Sequence, residues 1–494
     1  MKVNQMTSNR QFAKSFLTGI SLAAAMTAAE AKAETLDEAL TYTYVANPSI
    51  AAQRQYLRSV YEQIEQGKAG YKPTIAGQAS YGYQYQRSLS RPAFAENESK
   101  PVNMGINAVQ PLFSGFGTVA AVKAARRQFE AEQAKLNDLE QSVLTQAVVA
   151  YTEVIRAIAV LKLNQNNEAV LKRQLDYTRD RFRVGELTKT DVAQAEARYA
   201  GAVASRIQSE SNVKVAYSTY RKTIGKMPEK LFEPEVPAAQ LPQTLEDALA
   251  VAEKNNPSIV SAERTADQAK NSVDVAKSAH YPSLNLQASY LNSRANAHGS
   301  MANYDRGLYK GTIETGRARE QDSTVALVLD VPFYTGGVVS SKVSQAKSLE
   351  RQARVGIIAA RRAVEQVTTQ AWENYQSTLA GLSSLQEQVR AAELALDGVR
   401  HEEQAGTRTV LDVLNAEQEL LDARVSVISA KKNLIDASYM LISAMGLMTP
   451  DNLDLDIDRY RKKSEKKNVE PAKQTETAEQ ADENAQDNAE SEQV

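Results

Sequence analysis

Four short segments alternate between apolar and polar residues with the period of two that is typical of β-strands. They cover residues 74–85, 102–108, 284–290 and 324–331. Each segment therefore predicts a strand with one apolar and one polar face. The more polar stretches at residues 86–101 and 292–321 separate the members of each pair, and they predict loops.

Long helical patterns follow each pair of predicted strands. The first runs without proline from Gly117 to about Val184, about 66 residues or roughly 100 Å of helix. Its apolar residues recur in steps of four and three, which predicts a coiled-coil seam. The seam consists of Val143, Ala147, Ala150, Val154, Ala157 and Leu161. A second long helix is predicted from Val338 to Ala405, and a shorter helix follows each long one.

The same features recur in the same order, which indicates an internal duplication. "NPSI" begins at Asn47 and again at Asn256, 209 residues later. "QPLFSGFG" at Gln110 and "VPFYTGGV" at Val331 share a proline, a hydroxyl residue and a glycine at matching places. The predicted parts are a first repeat at residues 34–227, a linking strap at 228–243 and a second repeat at 244–448.

Four prolines mark the predicted junctions between strands and helices. They are Pro73, Pro111, Pro282 and Pro332. Proline cannot donate the hydrogen bond that continues a β-ladder, and a following glycine permits the bend into a helix. The alternative interpretation is four unrelated turns.

The composition excludes several classes of function. The chain has 494 residues, a formal net charge of -2 and no cysteine. A general nucleic-acid binder, a thiol nucleophile and a lipid anchor on cysteine are therefore not expected. The histidines His280, His298 and His401 have no metal-site spacing, and no phosphate loop or nucleophile motif occurs. The sequence predicts no enzyme, no metal and no cofactor.

Both ends of the chain differ from the repeats. Residues 1–33 combine basic residues, an apolar core and a small-x-small site before Glu34, which predicts a secretory signal peptide. An ordinary N-terminal helix is the alternative. No later run reaches about 18 consecutive apolar residues, so no transmembrane helix is predicted. Residues 449–494 are predicted to be a flexible tail, since no aromatic residue, leucine or isoleucine follows Tyr460.

Four strands in one chain cannot close a sheet inside a membrane, because the sheet edges would leave unpaired backbone groups in lipid. Three chains would supply 12 strands, which lies within the range of outer-membrane barrels. The sequence accordingly predicts a mixed, mainly α fold. In it, three chains would form a 12-stranded β-barrel, with four strands from each chain, above a ring of 12 helical rods.

The duplicated "NPSI", the two corner motifs and "AGTRTVLDVLNAEQELLDAR" from Ala405 to Arg424 resemble the TolC family of outer-membrane export channels. The resemblance covers about residues 35–448. It implies a homotrimer in the Gram-negative outer membrane, whose trimeric 12-stranded β-barrel continues into a long α-helical coiled-coil barrel in the periplasm. Such a trimer carries proteins or small molecules outward, by type I secretion or multidrug efflux. A periplasmic adaptor and an inner-membrane ABC or proton-driven pump are the implied partners.

Paired helices are predicted to reverse at Gly185 and Gly406, and these two tips are the candidate gate and the candidate docking surface for the adaptor. Asp191 and Asp412 follow the glycines at the same spacing. By the resemblance, Asp412 belongs to the constriction of a closed channel. The alternatives are acids that only favour a helix N-terminus, and plain connecting turns.

The resemblance also implies a network of hydrogen bonds and ion pairs that holds the tip closed, formed by Thr190, Asp191 and Arg408. Replacement of Arg408 by alanine is therefore expected to loosen the closed state. Two positions depart from the family: Asn415 replaces a second acid, and Glu403 replaces a tyrosine that partners Asp191. Two carboxylates repel unless an arginine lies between them, and the candidates are Arg408, Arg183 and Arg181.

A periplasmic coiled coil without a pore, acting as a structural or adaptor protein, is the alternative function. The helix content supports it. The amphipathic strands count against it, because Tyr81, Tyr83 and Tyr85 resemble an aromatic belt at a membrane interface. An ordinary porin is excluded by the small number of predicted strands.

Overall fold

The computed structural model describes residues 34–90, 93–305 and 308–457, without the side chains of residues 89–96 and 297–315. The predicted signal peptide and residues 458–494 of the predicted tail lie outside the described residues. The first half forms α1 (Leu36–Ala46), α2 (Pro48–Ala69), β1 (Thr74–Tyr81), β2 (Gln84–Ser90), β3 (Ala93–Ser114), α3 (Gly117–Arg183) and α4 (Lys189–Ile224). The second half forms α5 (Leu245–Asn255), α6 (Pro257–Ser278), β4 (Ser283–Asp305), β5 (Leu308–Asp330), α7 (Val338–Gln404) and α8 (Val410–Ala444). The fold is mainly helical with one antiparallel sheet, as predicted.

The strands form one sheet in the order β1–β3–β4–β5, and β2 also pairs with β3. β1 and β2 share one register along β3, since Tyr81 lies opposite Val102 and Gln84 lies opposite Ser99. The break between them faces Pro101, which accepts a bond from Gly82 but has no N–H to return. β1 and β2 are therefore two parts of one strand, and the sheet has four rows.

Among residues 86–101 and 292–321, predicted to be loops, the described residues are almost all in strands, so that expectation was wrong. β3 already begins at Ala93, and β4 and β5 pair without interruption from Ser283 opposite Asp330 to Asp305 opposite Leu308. A β-ladder is held by backbone hydrogen bonds, which polar residues make as well as apolar ones. Polarity alone therefore does not end a strand.

Most of the large apolar side chains of the strands share one face of the sheet, as the alternation predicted, whereas Leu291 and Val328 lie on the other face. By register, the face that carries Ile106 also carries Ile75, Val325 and Leu327. These side chains are exposed, to 72% for Ile75, 76% for Val325 and 63% for Leu327. An exposed apolar surface of this kind is typical of a membrane or protein contact.

Three of the four corner prolines lie at junctions: Pro73 and Pro282 directly precede β1 and β4, and Pro332 follows β5. The expectation for Pro111 was wrong, because β3 continues to Ser114 with a register shift between Pro111 and Phe113. At this bulge the regular ladder of hydrogen bonds is interrupted, so the strand tolerates a proline, which has no N–H to donate.

The turn after β3 occurs at Gly115 and Phe116. Gly115 has a φ of +58°, and a Cβ there would lie 2.6 Å from the carbonyl oxygen of Ser278. Only glycine fits this close approach in a left-handed conformation. The ring of Phe116 packs edge-on against Phe113 and Tyr281, with centroids 5.1 and 6.2 Å away.

The contacts divide the described chain into two compact units. One contains the residues up to Ala52, Asn137–Asn256 and those from Val364 onward, and the other contains Gln53–Leu136 and Pro257–Ala363. Each unit takes segments from both predicted repeats. The second unit contains the sheet.

The first unit has an apolar core that surrounds the middle of α3. Its fully buried side chains include Leu144, Tyr151, Tyr220, Leu441 and Ile442. Five residues of the predicted seam are buried, and Leu161 is half-buried. An 18-residue stretch of α3 is long and apolar enough to cross a membrane, but half of it is buried, as in the core helix of a soluble protein.

Two segments without regular helices cover this core. In the strap, Leu231 and Val236 pack against it, and only the 3₁₀ turn Ala238–Gln240 interrupts the extended chain. Leu453, Leu455 and Ile457 also pack there. The predicted flexible tail therefore starts too early at residue 449, because three apolar side chains after that point find a place in the core.

The two "NPSI" segments join helix ends through their asparagines. Asn47 Nδ2 donates to the carbonyl oxygen of Thr223 near the end of α4 (3.1 Å), and its Oδ1 accepts from the N–H of Ser49 (2.9 Å). Asn256 Nδ2 donates to the carbonyl oxygen of Ala444, the last residue of α8 (2.9 Å). The amide thus satisfies a carbonyl at a helix C-terminus, which at Ala444 also accepts a longer bond from the hydroxyl of Thr368 (3.4 Å).

We expect Asn256→Asp to destabilise the fold by about 2 kcal/mol, since a carboxylate cannot donate to Ala444 and the site is buried. The loss of helical circular dichroism on heating measures the effect. Asn255→Asp, at the exposed neighbouring position, is the matched control. Equal melting of the two variants would show that the amide does not hold this joint.

Candidate functional site

The two helix tips turn at glycines in the left-handed conformation. Gly185 follows α3 by two residues and has a φ of +85°, and Gly406 follows α7 by two residues with a φ of +79°. The residue after each glycine donates its N–H to the carbonyl five residues earlier, at 3.0 and 2.9 Å. These bonds close the C-terminal end of each long helix.

Both acids of the predicted gate begin a helix. The N–H of Thr188 donates to Asp191 Oδ2 (2.8 Å), and the N–H of Asp191 donates to Thr188 Oγ1 (3.3 Å). Thr409 and Asp412 repeat this capping box at 2.9 and 3.2 Å. Such reciprocal bonds satisfy free N–H groups at a helix start. Within one chain, Asp191 and Asp412 therefore cap helix N-termini, which is the alternative to a gate given in the sequence analysis. Thr190 lies beside Asp191 and is exposed.

Hydrogen bonds lower the pKa of Asp412. The N–H of Thr409 contributes most, followed by its hydroxyl and the charge of Arg408. A lowered folded-state pKa means that the charged carboxylate stabilises the fold above its unfolded pKa, and that this stabilisation disappears as the pH falls through the folded value.

We therefore expect Asp412→Ala to increase hydrogen–deuterium exchange in the first turn of α8 at pH 7, relative to the unaltered protein. The difference should shrink as the pH falls through the lowered folded-state pKa, and it should vanish below that pKa, where the carboxylate is protonated in both states. Asp422→Ala, further along α8, is the control. A difference that persists in acid would contradict the charged cap.

The helices α3 and α4 form one helical hairpin, and α7 and α8 form another. An ion pair joins these two hairpins at their tips. Arg181 Nη1 of α3 lies 2.6 Å from Glu403 Oε1 of α7, and Arg181 Nε lies 2.9 Å from Glu186 Oε2 in the first turn. Glu403 is buried, with 8% of its side chain exposed. Arg181 thus neutralises Glu403. The second carboxylate that Arg181 contacts is Glu186 and not Asp191.

A hydrogen bond and an apolar contact also join the hairpins. Arg198 of α4 donates to Asn415 Oδ1 of α8 (2.7 Å). Leu187 in the first turn packs against a cluster that includes the buried Val410 and Leu414 of α8. Asn415 replaces an acid according to the resemblance described above. In the structure, its side-chain oxygen accepts the hydrogen bond that joins α4 to α8.

Arg408 forms a local contact. Its Nε lies 2.9 Å from Glu402 Oε2, six residues earlier in the same hairpin, and both side chains are about half exposed. Exposed pairs of this kind contribute little, about 0 to 1 kcal/mol. Within the described chain, the ion pair that bridges the tips is therefore made by Arg181.

Sequence reasoning missed Arg198, Leu187 and Val410 as contributors to the site. Leu187 and Val410 flank the capping threonines, so an apolar residue beside each turn was a usable signal. Arg198 had none, because its partner lies 217 residues away. Among the described residues, no group of three or more His, Asp or Glu side chains is placed to hold a metal.

The sequence profile described as "Outer membrane efflux protein" matches residues 43–226 and 248–447. The outer membrane efflux protein BepC of Brucella suis is 32% identical over 436 residues, which cover 88% of this chain and 90% of BepC. The outer membrane protein TolC of Vibrio cholerae is 28% identical, over 76% of this chain and 81% of TolC.

Solved structures show the same fold. The crystal structure of the outer membrane protein VceC from Vibrio cholerae has a TM-score of 0.66 at 19% identity and covers 83% of this chain and 96% of VceC. The profile match extends over most of the chain, and this chain and BepC are more than 30% identical over most of both sequences. This chain is therefore an outer-membrane protein that belongs to the outer membrane efflux protein family.

Proposed function

We propose that three copies of this chain form a duct that carries protein or small-molecule cargo from the periplasm to the exterior, in type I secretion or multidrug efflux. The observation that carries the proposal is the sheet. It has one face of exposed apolar side chains, and β1 and β5 are its edges. Three such sheets joined at those edges make a closed 12-stranded barrel, which leaves no unpaired backbone in lipid.

The helical part forms the periplasmic tunnel of this duct, with its gate at the tips. Arg181 with Glu403, and Arg198 with Asn415, tie one hairpin to the other and oppose their separation. Asp412 from three chains would surround the mouth and favour cations. Thr190, Asp191 and Arg408 are proposed to contact neighbouring chains there, where Arg408 exchanges its local partner for another.

The exposed turns support the proposed partners. Gly185 and Gly406 are exposed, and beyond the neighbouring residues no described atom lies within 4 Å of an added Cβ. Both turns are therefore free to receive a periplasmic adaptor, which would connect the duct to an inner-membrane ABC or proton-driven pump. We also propose that residues 34–227 and 244–448 are duplicated units joined by the strap at 228–243.

Single-channel conductance of the protein, purified from outer membranes and inserted into a planar bilayer, tests the proposal. A small, cation-preferring conductance is expected, since the tip is held closed and its mouth is acidic. Chemical cross-linking of the same preparation should give a trimer. A cross-linked, folded trimer with no conductance, even after the tip links are removed by mutation, would favour the non-pore coiled coil.

A further inference from the structure

Four neighbouring cationic side chains lie on the apolar face of the sheet, and Arg87 of β2 lies on the same face further along. Arg294 of β4 lies opposite Arg319 of β5 and, on its other side, opposite Val102 of β3. One row further along, Lys100 of β3 lies opposite Asn296, which lies opposite Arg317. Paired residues lie on one face, and so do residues two apart along a strand. Lys100, Arg294, Arg317 and Arg319 therefore form one group, called here the basic patch.

The basic patch begins where the apolar side chains end. On the same face, Leu284 lies opposite Leu329 at the helix-side end of the sheet, and Arg294 lies opposite Arg319 ten residues further along each strand. Ten residues extend about 33 Å, or about 25 Å in height for a strand tilted by about 40°. This is about the height of the apolar band of an outer-membrane barrel, so the patch lies at its outer rim.

The cations of the basic patch are exposed, and none of them forms an ion pair with another described residue. Glu320 and Asp322, which alternate with the arginines of β5, lie on the opposite face. Glu98 lies on the same face two residues beyond Lys100, where it accepts a hydrogen bond from Tyr83. The patch thus carries four positive charges that form no ion pair with a described residue, and Glu98 is the described carboxylate nearest to it along β3.

Tyrosines lie directly beside the patch. Tyr81 is in register with Val102 and therefore with Arg294, and Tyr290 lies on the same face four residues before Arg294. Tyrosine is favoured where hydrocarbon meets head groups, because one end of its side chain is apolar and the other is polar. Neighbouring strands are about 4.8 Å apart, so the four cations could contact the same phosphate groups.

We propose that the basic patch binds the phosphate groups of anionic lipids in the outer leaflet of the membrane. The proposal rests on the proposed function in one respect, namely that the apolar face of the sheet contacts lipid. Guanidinium groups bind phosphate through two parallel N–H···O bonds, and three arginines beside a lysine can neutralise more than one phosphate. The aromatic rim and the adjoining apolar band favour a lipid over a free anion.

Binding of fluorescent bisphosphorylated lipid A to the full-length, detergent-purified protein tests this, with dephosphorylated lipid A as the comparison. The double variant Arg294→Gln/Arg319→Gln removes two cations and should weaken binding of the phosphorylated lipid about 30-fold at low salt. The control is Arg354→Gln/Arg390→Gln, which removes two exposed arginines of α7 and should bind like the unaltered protein. Millimolar inorganic phosphate should not displace the lipid.

Equal affinity of the unaltered protein for the two lipids would overturn the proposal, and this comparison needs no variant to fold. Equal binding by both double variants, or displacement by inorganic phosphate, would overturn it as well. Conductance separates this result from a failure of the proposed function. A variant that conducts normally but loses the lipid supports the patch, whereas an unaltered protein that never conducts challenges the duct.

Discussion

Replacement of Arg181 by alanine should open the channel. The change leaves Glu403 charged, buried and without its partner, which destabilises the state in which the two hairpins are joined. Removal of one partner from a fully buried ion pair costs about 3 to 5 kcal/mol, and Arg181 is itself partly exposed, so about 2 kcal/mol is a reasonable expectation. That loss shifts the balance between closed and open tips about 30-fold. Single-channel conductance in a planar bilayer measures it.

Arg183→Ala is the matched control for this change. Arg183 lies two residues away in the last turn of α3, but it pairs with Asp180 of the same helix and is well exposed. It should leave the conductance unchanged. Arg408→Ala tests the contacts proposed between chains separately from the Arg181–Glu403 ion pair, since Arg408 does not join the two hairpins within one chain.

A double variant adds a second test of the Arg181–Glu403 ion pair. In Arg181→Ala/Glu403→Gln the buried charge is also removed, so part of the closed state should return relative to Arg181→Ala alone. If Arg181→Ala conducts no better than Arg183→Ala, the pair does not hold the tip, and the remaining links of Arg198 and Leu187 would have to account for closure.

Replacement of Gly446 by alanine should be the most damaging single change to stability. Gly446 follows α8 with a φ of +79°, and an added Cβ would lie 2.6 Å from the carbonyl oxygen of Asn255 and 2.8 Å from the Cα of Asn256. The left-handed conformation costs a side chain about 1 to 2 kcal/mol, and the overlap with backbone adds about 1 to 3 kcal/mol. We expect a marked loss of folded protein and a lower melting temperature.

Gly406→Ala controls for the backbone conformation. Gly406 has the same φ of +79°, but nothing lies within 4 Å of its added Cβ. It should therefore show only the conformational cost of about 1 to 2 kcal/mol. Similar melting of the two variants would mean that the end of α8 moves away from Asn255 easily, and that the joint is looser than its contacts indicate.

The sequence alone determined most of the secondary structure and the family. Helices, strand faces and the seam of α3 could be predicted because the spacing of apolar residues directly reflects which side of an element is buried. The "NPSI" segments located the helix joints, because proline cannot continue a helix from the residue before it. The duplication then indicated which elements correspond.

The tertiary structure alone decided which side chains meet. Arg181 and Glu403 are 222 residues apart, and no local pattern pairs them, because their contact depends on two long hairpins packing side by side. The length of the strands was also undetermined, since backbone bonds extend a ladder through polar residues whenever a partner strand is present. Pro111 remains inside β3 for the same reason: a bulge in the paired strands accommodates a residue that would end an isolated one.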